Sequence, residues 1–558
     1  MLAGVLPGRL ARPAWHGLRR RAARVGAARS AVMLLGDVPR LLPRSPRLAI
    51  AIARADVADP MDPAMLPLIE RALERHRSNR LLARQADLLT RAGEFTAARD
   101  TWRELAARGD ATAANKVRLL EGRLRETDPA WLPVAPGAPE RLAPVSRRRI
   151  LHIAKSAAPE RWSGFTIRTL QNLRAQRAAG LEPMVVTKIG WPREAGVTNV
   201  PARVTFEGIE QHYLDRGPGY APRSLPVDVP LQDLTEDLVP LVRELRPAIL
   251  HVHSGHRGGE LVLVALALRK RFGIPVVYEV RGLFESTWTP DLRYAEHAEF
   301  FARRLGQETR LLREVDGVIA ISQALADDFV GRGISRDKIT IVPNGIDPAA
   351  LDVAERDPAL RERLGLAGSF VVGYLGNLDH WREGIEVLIA ALAELQRRGR
   401  DDVKVLVVGD GPRRRSLEAE ARRLRVADAV RFTGRVPHEV VGGYYAQMDL
   451  FVNPRVDERA ARYITPLKPY EAMALGVPVL VSDLPALREI VDPPARGAVA
   501  PPGDSGGLAE AIERLIDDSA TRASLGAAGR AWVRAERTWM SNGPRYRAAY
   551  EAIVGPLS

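Results

Sequence analysis

The densest set of groups able to hold an anion runs from Arg455 to Ser482. A short apolar strand, 450–452, gives way to a loop bearing Arg455, Arg459 and Arg462, and a short helix is expected to open between Pro466 and Pro469. The first turn of a helix offers free backbone N–H groups at the positive end of its dipole, and Lys468 adds a full charge there. Glu471 lies one turn further on, where a carboxylate could accept hydrogen bonds from ribose hydroxyls. The plainer reading is that an acidic residue is simply favourable in a first helical turn. A diphosphate flanked by a ribose satisfies both side chains together.

A second group lies near the middle of the chain. In Ile249-Leu250-His251-Val252-His253-Ser254-Gly255-His256, strand alternation turns His251 and His253 to one face. They are either ligand-facing groups or hydrogen-bonded histidines at a sheet end. A metal held by His251, His253 and His256 would need two strand residues and one loop residue to converge, with no obvious carboxylate beside them, so no metal is expected. The strand through Val276–Val280 ends at Arg281, which could meet a phosphate or an acceptor, or pair with Glu279 or Glu285. Arg161-Trp162-Ser163-Gly164-Phe165 forms the loop after the first strand, where glycine lets the backbone approach a ligand. It lacks a Gly-x-Gly-x-x-Gly fingerprint, which disfavours a dehydrogenase.

These loops must be positioned by the strands that precede them. From residue 148 onward, short apolar runs alternate with amphipathic stretches, the pattern of a parallel sheet with helices on both faces. Strands are expected at 150–154, 183–187, 248–253, 275–280, 317–321 and 339–342. A second series falls at 371–375, 403–408, 430–433, 450–452 and 477–481. A long helix is expected over about 292–313, and Asn542–Ile553 is expected to cross back onto the first block. The fold class is therefore α/β, two doubly wound blocks facing a cleft, preceded by an all-α extension. The expected division is a basic helical extension at 1–126, a Pro-rich linker at 127–147, domains at 148–343 and 344–537, and a C-terminal helix within 538–558. Within the extension, 81–105 reads as helix, tight turn, helix. It has some tetratricopeptide character, but a single unit is also an ordinary helical hairpin.

Composition bounds the partners. The chain has 558 residues, 46% hydrophobic and 27% charged, and no cysteine, so disulfides and thiolate chemistry are out. The net charge of +14 is concentrated: residues 1–60 carry eleven arginines against three aspartates. Seventy-five of the 82 basic residues are arginine, a bias that suits codon usage better than nucleic-acid binding, and no interleaved aromatic-basic motif is seen. No nucleic-acid partner is expected. The basic start suggests a docking surface for an anionic leaflet or a partner protein within residues 1–126, on a chain expected to be cytoplasmic and without a membrane span. Prolines at 7, 13, 39, 43 and 46 limit that start to short helical pieces.

The run Thr465-Pro466-Leu467-Lys468-Pro469-Tyr470-Glu471-Ala472-Met473-Ala474, followed by Gly476-Val477-Pro478-Val479, resembles the donor-site helix of family 4 retaining glycosyltransferases, in particular a subgroup with Pro-Leu-Lys-Pro before the Glu-Ala pair. Gly373-Tyr374-Leu375-Gly376, Val408-Gly409-Asp410-Gly411-Pro412, Phe432-Thr433-Gly434-Arg435-Val436 and Pro343-Asn344-Gly345-Ile346-Asp347 resemble further family segments in the right order. The likeness covers about residues 148–554. It implies the GT-B fold, with a nucleoside diphosphate-sugar in the C-terminal domain and a glycan, polysaccharide or lipid-linked acceptor in the N-terminal one. It also implies transfer with retention, no cofactor, and cations in place of a metal. Carried onto this sequence, the donor set is Gly376, Asn377, Arg382, Gly409, Gly411, Arg435, Arg455, Lys468 and Glu471. Catalytic roles fall on His253, Lys468 and Arg281, and acceptor contacts on Ser163, Gly164 and His251.

Three departures stand out. Tyr463 occupies the place of a donor-sugar glutamate, eight residues before Glu471. Gly376-Asn377 and Trp381-Arg382-Glu383-Gly384 replace the usual phosphate cations, with Arg382, Arg455, Arg462 and Lys468 as substitutes. Arg281 stands where many relatives have a histidine. Two other readings compete: a sugar-nucleotide epimerase of the same fold, and a non-catalytic GT-B scaffold.

Overall fold

The computed structural model describes residue 52 and residues 62–289, 291–348 and 355–557. The expectations placed on residues 1–60 lie outside the described residues, Ile52 excepted. Two compact units are present.

The first unit takes in the N-terminal helices to Trp131 together with Ala221–Pro230 and Asp291–Gln307. Its helices are α1 (Leu66–Arg75), α2 (Asn79–Ala92), α3 (Phe95–Ala107) and α4 (Ala113–Glu126). The expected helix–turn–helix is α2 and α3. Ser78 caps α2, and Gly93 ends it at φ 84°, a left-handed position that favours glycine. Leu81, Leu82, Leu88, Phe95, Trp102 and Leu105 form the core of this unit. Buried charge ties the later segments in: Arg304 makes two bonds to Glu126, at 2.7 and 2.9 Å, and Arg125 reaches Asp228 at 2.6 Å.

The second unit holds two sheets, parallel throughout except for the antiparallel β3–β4 pair. Strands β1 (Arg149–Ala154), β2 (Glu182–Thr187), β3 (Arg203–Phe206), β4 (Ile209–His212), β5 (Ile249–His253), β6 (Val276–Val280), β7 (Gly317–Ala320) and β8 (Ile339–Ile341) are ordered β3-β4-β2-β1-β5-β6-β7-β8. Helices α5 (Gly164–Ala178), α6 (Asp228–Leu245), α7 (Glu260–Phe272), α8 (Leu292–Ala295), α9 (Glu299–Glu314) and α10 (Gln323–Gly331) lie between them in sequence, with α8 and the first half of α9 belonging to the first unit. The second sheet comprises β9 (Phe370–Leu375), β10 (Val403–Val408), β11 (Val430–Phe432), β12 (Leu450–Asn453), β13 (Val479–Ser482) and β14 (Ala498–Ala500), ordered β11-β10-β9-β12-β13-β14. Its helices are α11 (Pro358–Arg363), α12 (Ile385–Arg397), α13 (Arg414–Arg423), α14 (Val441–Tyr445), α15 (Arg459–Tyr463), α16 (Lys468–Ala474), α17 (Pro485–Val491), α18 (Ser505–Asp517) and α19 (Ser519–Glu536). Central strands such as β5 and β6 are buried at every residue, as parallel strands covered on both faces must be, and the polar residues they carry, His251, His253 and Glu279, are buried with them.

The last helix, α20 (Asn542–Val554), returns to the first sheet as expected: Tyr546 and Tyr550 share a core cluster with Ile150, Ile249, Val277 and Ile319. The helix expected over 292–313 is instead two, α8 and α9. The break is set by tertiary bonds at the start of α9: Glu299 accepts from Thr96 N at 2.7 Å while its own N–H donates to Glu94. The β3–β4 hairpin, β14 and α15 are three to five residues each, too short to leave a period in the sequence. Among the described residues, no helix is long and apolar enough to cross a membrane.

Candidate active site

In an open α/β sheet, ligands bind outside the carboxyl ends of the strands where the strand order reverses. Those points are β1/β5 in the first sheet and β9/β12 in the second. Lys155 and the 161–165 loop follow β1, Ser254 follows β5, Gly376 and Asn377 follow β9, and Arg455 lies just past β12. The two edges meet: a Cβ on Gly164 would lie 3.5 Å from Leu467 Cδ1. Nearby, Ser322 Oγ donates to the Tyr463 carbonyl at 2.6 Å, and Asn344 Nδ2 donates to the Thr465 carbonyl at 2.9 Å. Ser163 caps α5 through a capping box with Thr166.

On the second sheet, Lys468 opens α16 and its Nζ stands 2.9 Å from both Glu471 oxygens. Tyr445 Oη donates to Glu471 Oε2 at 3.0 Å. Arg455 is buried, paired with Glu383 at 3.0 and 3.2 Å and bonded to the Ile464 carbonyl. Arg382 touches the same carboxylate at 3.5 Å. Burial opposes ionisation of Glu383, yet Arg455 and Arg382 hold its carboxyl below the usual range. Two guanidinium groups therefore share one ionised carboxylate, and the buried Glu458 faces both of them as well. The loops after β9 and β10 pack backbone on backbone. Gly409 sits at φ 140°, and a Cβ there would be 1.9 Å from the Gly376 carbonyl oxygen. Gly411 is as confined, with Leu378 C 2.5 Å from any Cβ. Asn377 and Arg435 are exposed. Arg462 does not join this cluster: it is exposed and paired with Asp457. Arg459 instead bridges to Glu285, in the loop after β6, and to Asp328 of α10, at 2.9 and 2.8 Å.

The first sheet corrects the reading of the histidines. A carboxylate does lie beside them: Glu279 of β6 pairs in register with His253. Its Oε2 is 3.1 Å from His251 Nε2 and accepts from Tyr546 at 2.8 Å, while Oε1 accepts from Arg168 at 2.8 Å and Arg281 at 2.7 Å. His251 is fully buried with its other nitrogen 2.8 Å from Tyr550 Oη, so it cannot touch an acceptor. His253 is 4% exposed and its Nε2 bonds His152 Nδ1 at 3.0 Å, so its ring supports the sheet interior and does not face the cleft. Arg281 makes the ion pair with Glu279 that its sequence position allowed.

His152, missed in the sequence, completes the group. Nitrogens of His152, His251 and His253 lie within 4.8 Å of one another. His152 bonds His253 and Gln176, His251 bonds Glu279 and Tyr550, two guanidinium groups sit on the shared carboxylate, and His253 Nδ1 alone is buried without a hydrogen bond. That donor set suits a hydrogen-bonded network better than a cation.

Burial above all holds His152, His251 and His253 below their ordinary pKa, and neighbouring positive groups add to this for His152 and His253. Their neutral forms fill the folded state, so below about pH 6.5 the unfolded chain binds more protons and stability falls with pH. Each such histidine contributes up to about 1.4 kcal/mol per pH unit in that window. Denaturant unfolding at pH 7.5, 6.5 and 5.5 should show a progressive loss. A flat profile would mean that these rings accept protons without cost.

The model described as Glycosyltransferase Family 4 matches residues 162–350, and that described as Glycosyl transferases group 1 matches 369–518, together more than half of the chain. The chain belongs to the family 4 glycosyltransferases. This family 4 chain is 31% identical over 254 residues to a 2-deoxystreptamine glucosyltransferase of Streptomyces kanamyceticus, a match covering 44% of the chain and 62% of that relative's length. It is 27% identical over 424 residues to a GDP-mannose-dependent alpha-mannosyltransferase of Mycolicibacterium smegmatis, covering 74% of the chain and 99% of the relative. Sucrose-phosphate synthase from Thermosynechococcus elongatus shares the fold with a TM-score of 0.59 at 24% identity, covering 72% of this chain and 98% of that one. The fold is GT-B, two Rossmann-like domains. The matched residues take in β5, β9 and β12, begin after β1 and Lys155, and do not include α1–α4. Sequence reading missed Lys155, Arg168 and Glu383, and it named Glu279 only as one of two possible partners of Arg281, two residues away and so on the same strand face.

Proposed function

We propose that the protein transfers a hexosyl group from a nucleoside diphosphate-sugar to an acceptor hydroxyl, with retention of configuration and without a metal. The observation that carries this is the pairing of Lys468 with Glu471 at 2.9 Å at the start of α16, with Arg455 and Arg382 gathered on Glu383 past the β9/β12 crevice. Lys468 and the two guanidinium groups take the diphosphate, and Glu471 takes the ribose hydroxyls. The bond between the anomeric carbon and the diphosphate oxygen breaks, and the electron pair leaves with the nucleoside diphosphate. Fixed cations stabilise that developing charge without reorganising. The acceptor oxygen bonds the same face of the anomeric carbon and its proton passes to the departing phosphate oxygen. The acceptor is read as a glycan, polysaccharide or lipid-linked saccharide, held on the first sheet beside Ser163 and Gly164.

The relatives' printed names include a glucosyltransferase and a GDP-mannose-dependent enzyme, so the base is left to experiment. Calorimetric titration of the full chain with UDP, GDP, ADP and their hexose derivatives should give saturable binding of one nucleotide. A folded protein that binds none would sink the proposal and favour the scaffold reading. Tyr463, at the place of the donor-sugar glutamate, supports that second reading.

A further inference from the structure

Lys155 follows β1 at the reversal point of the first sheet. Its ammonium lies 3.6 Å from the centre of the Phe165 ring and 5.1 Å from that of Phe284. It donates to the Gly255 carbonyl at 3.2 Å, which uses one of its three protons. Among the described residues, no carboxylate is within ion-pair reach of it. Burial, opposed in part by Glu260 and reinforced by Arg281 and Arg161, brings Lys155 down to about 8. A cation drawn out of water without a counter-ion is costly, and an arriving anion relieves that cost.

Arg281 reaches the same place from β6. Its Nη1 donates to the Phe165 carbonyl at 3.2 Å and to Thr169 Oγ1 at 2.6 Å. Its side chain is 3% exposed and its Nη2 is buried with no hydrogen-bond partner. The Glu279 charge is shared with Arg168, so Arg281 is only partly neutralised. Both cations thus touch Phe165, the second residue of α5, at the crevice outside β1 and β5. The donor cations, Lys468, Arg382 and Arg455, stand on the other sheet.

We propose that Lys155 and Arg281 form an oxyanion subsite for the acceptor, so that the molecule receiving the sugar carries a phosphate ester or a carboxylate. The proposal rests on the transfer reading above and names the substrate class of its acceptor side. The ammonium of Lys155 takes the anion directly. Arg281, held by Glu279 and Thr169 and buried, contributes its charge to the subsite and no direct contact.

The test uses the full chain saturated with whichever nucleoside diphosphate it binds, titrated with glucose, glucose 6-phosphate and glucuronate. One of the two anionic sugars should bind about tenfold or more tighter than glucose, as loss of a charge-assisted bond predicts. Preference for glucose 6-phosphate assigns a phosphate ester, and preference for glucuronate a carboxylate. Lys155→Met, which keeps the apolar stem on Phe165, should abolish the preference and leave nucleotide affinity unchanged. Lys155→Arg should retain it. Equal binding of all three sugars or an unchanged preference in Lys155→Met would each overturn the subsite. Nucleotide binding is read in the same experiment, so failure of the donor reading shows separately, as absence of nucleotide binding by the unsubstituted protein.

Discussion

Lys468→Ala is expected to slow sugar transfer, including transfer to water, by about 10²–10³-fold, the usual effect of removing one preorganised group at a developing oxyanion. Glu471→Ala should instead act on binding, weakening the nucleoside diphosphate by about 10–100-fold through loss of a charged hydrogen-bond acceptor. The two residues pair with each other before any ligand arrives. Lys468 is 30% exposed, so that pair is worth less than about 1 kcal/mol, and a bound diphosphate can displace it. Removing Glu471 frees Lys468 for phosphate and recovers part of the loss. The double variant should therefore lose an amount of binding different from the sum of its singles. Calorimetry on the four proteins gives the binding terms, and donor hydrolysis gives the rate. Wild-type hydrolysis by Lys468→Ala would remove this lysine from the chemistry.

Glu279→Ala is expected to destabilise the protein by about 3–5 kcal/mol, because it leaves the buried Arg168 and Arg281 charges without their carboxylate. The same change orphans the bonds from Tyr546 and His251. Arg168 also donates to the Val342 and Pro343 carbonyls and to Asn344, whose Nδ2 reaches Thr465 just before α16. Damage at Glu279 should therefore spread to the join between the two sheets. Replacing Arg168 and Arg281 by methionine in the Glu279→Leu background removes the uncompensated charge and should recover much of the stability. Thermal and denaturant unfolding of these variants make the measurement. A Glu279→Ala protein as stable as the parent would show that water reaches this cluster.

Most of the parallel strands were legible because burial on both faces makes them largely apolar runs, and Lys468 and Glu471 were legible because a short helix between prolines confines both. The β3–β4 hairpin and α15 left no such trace, being shorter than any period that could mark them. Arg281 was placed correctly at a strand end, but its partner could not be chosen between Glu279 and Glu285 without the register of β5 against β6. Gly409 and Gly411 were singled out by likeness alone, and the close approach of Gly376 and Leu378 supplies the reason that no side chain fits there.

What the amino-acid order determined by itself is local or periodic. It set the two series of β–α units, the helical start, the turn at Gly93, and the lysine and carboxylate of α16. Tertiary structure decided which charges are spent on each other. His152 and His253 are 101 residues apart and meet because β1 and β5 lie side by side in register. Glu383 and Arg455 are 72 apart and meet because β9 and β12 are neighbours. Cross-strand register places atoms within hydrogen-bond distance without leaving any spacing in the chain to read. Burial then decides whether a histidine supports the sheet or faces the cleft.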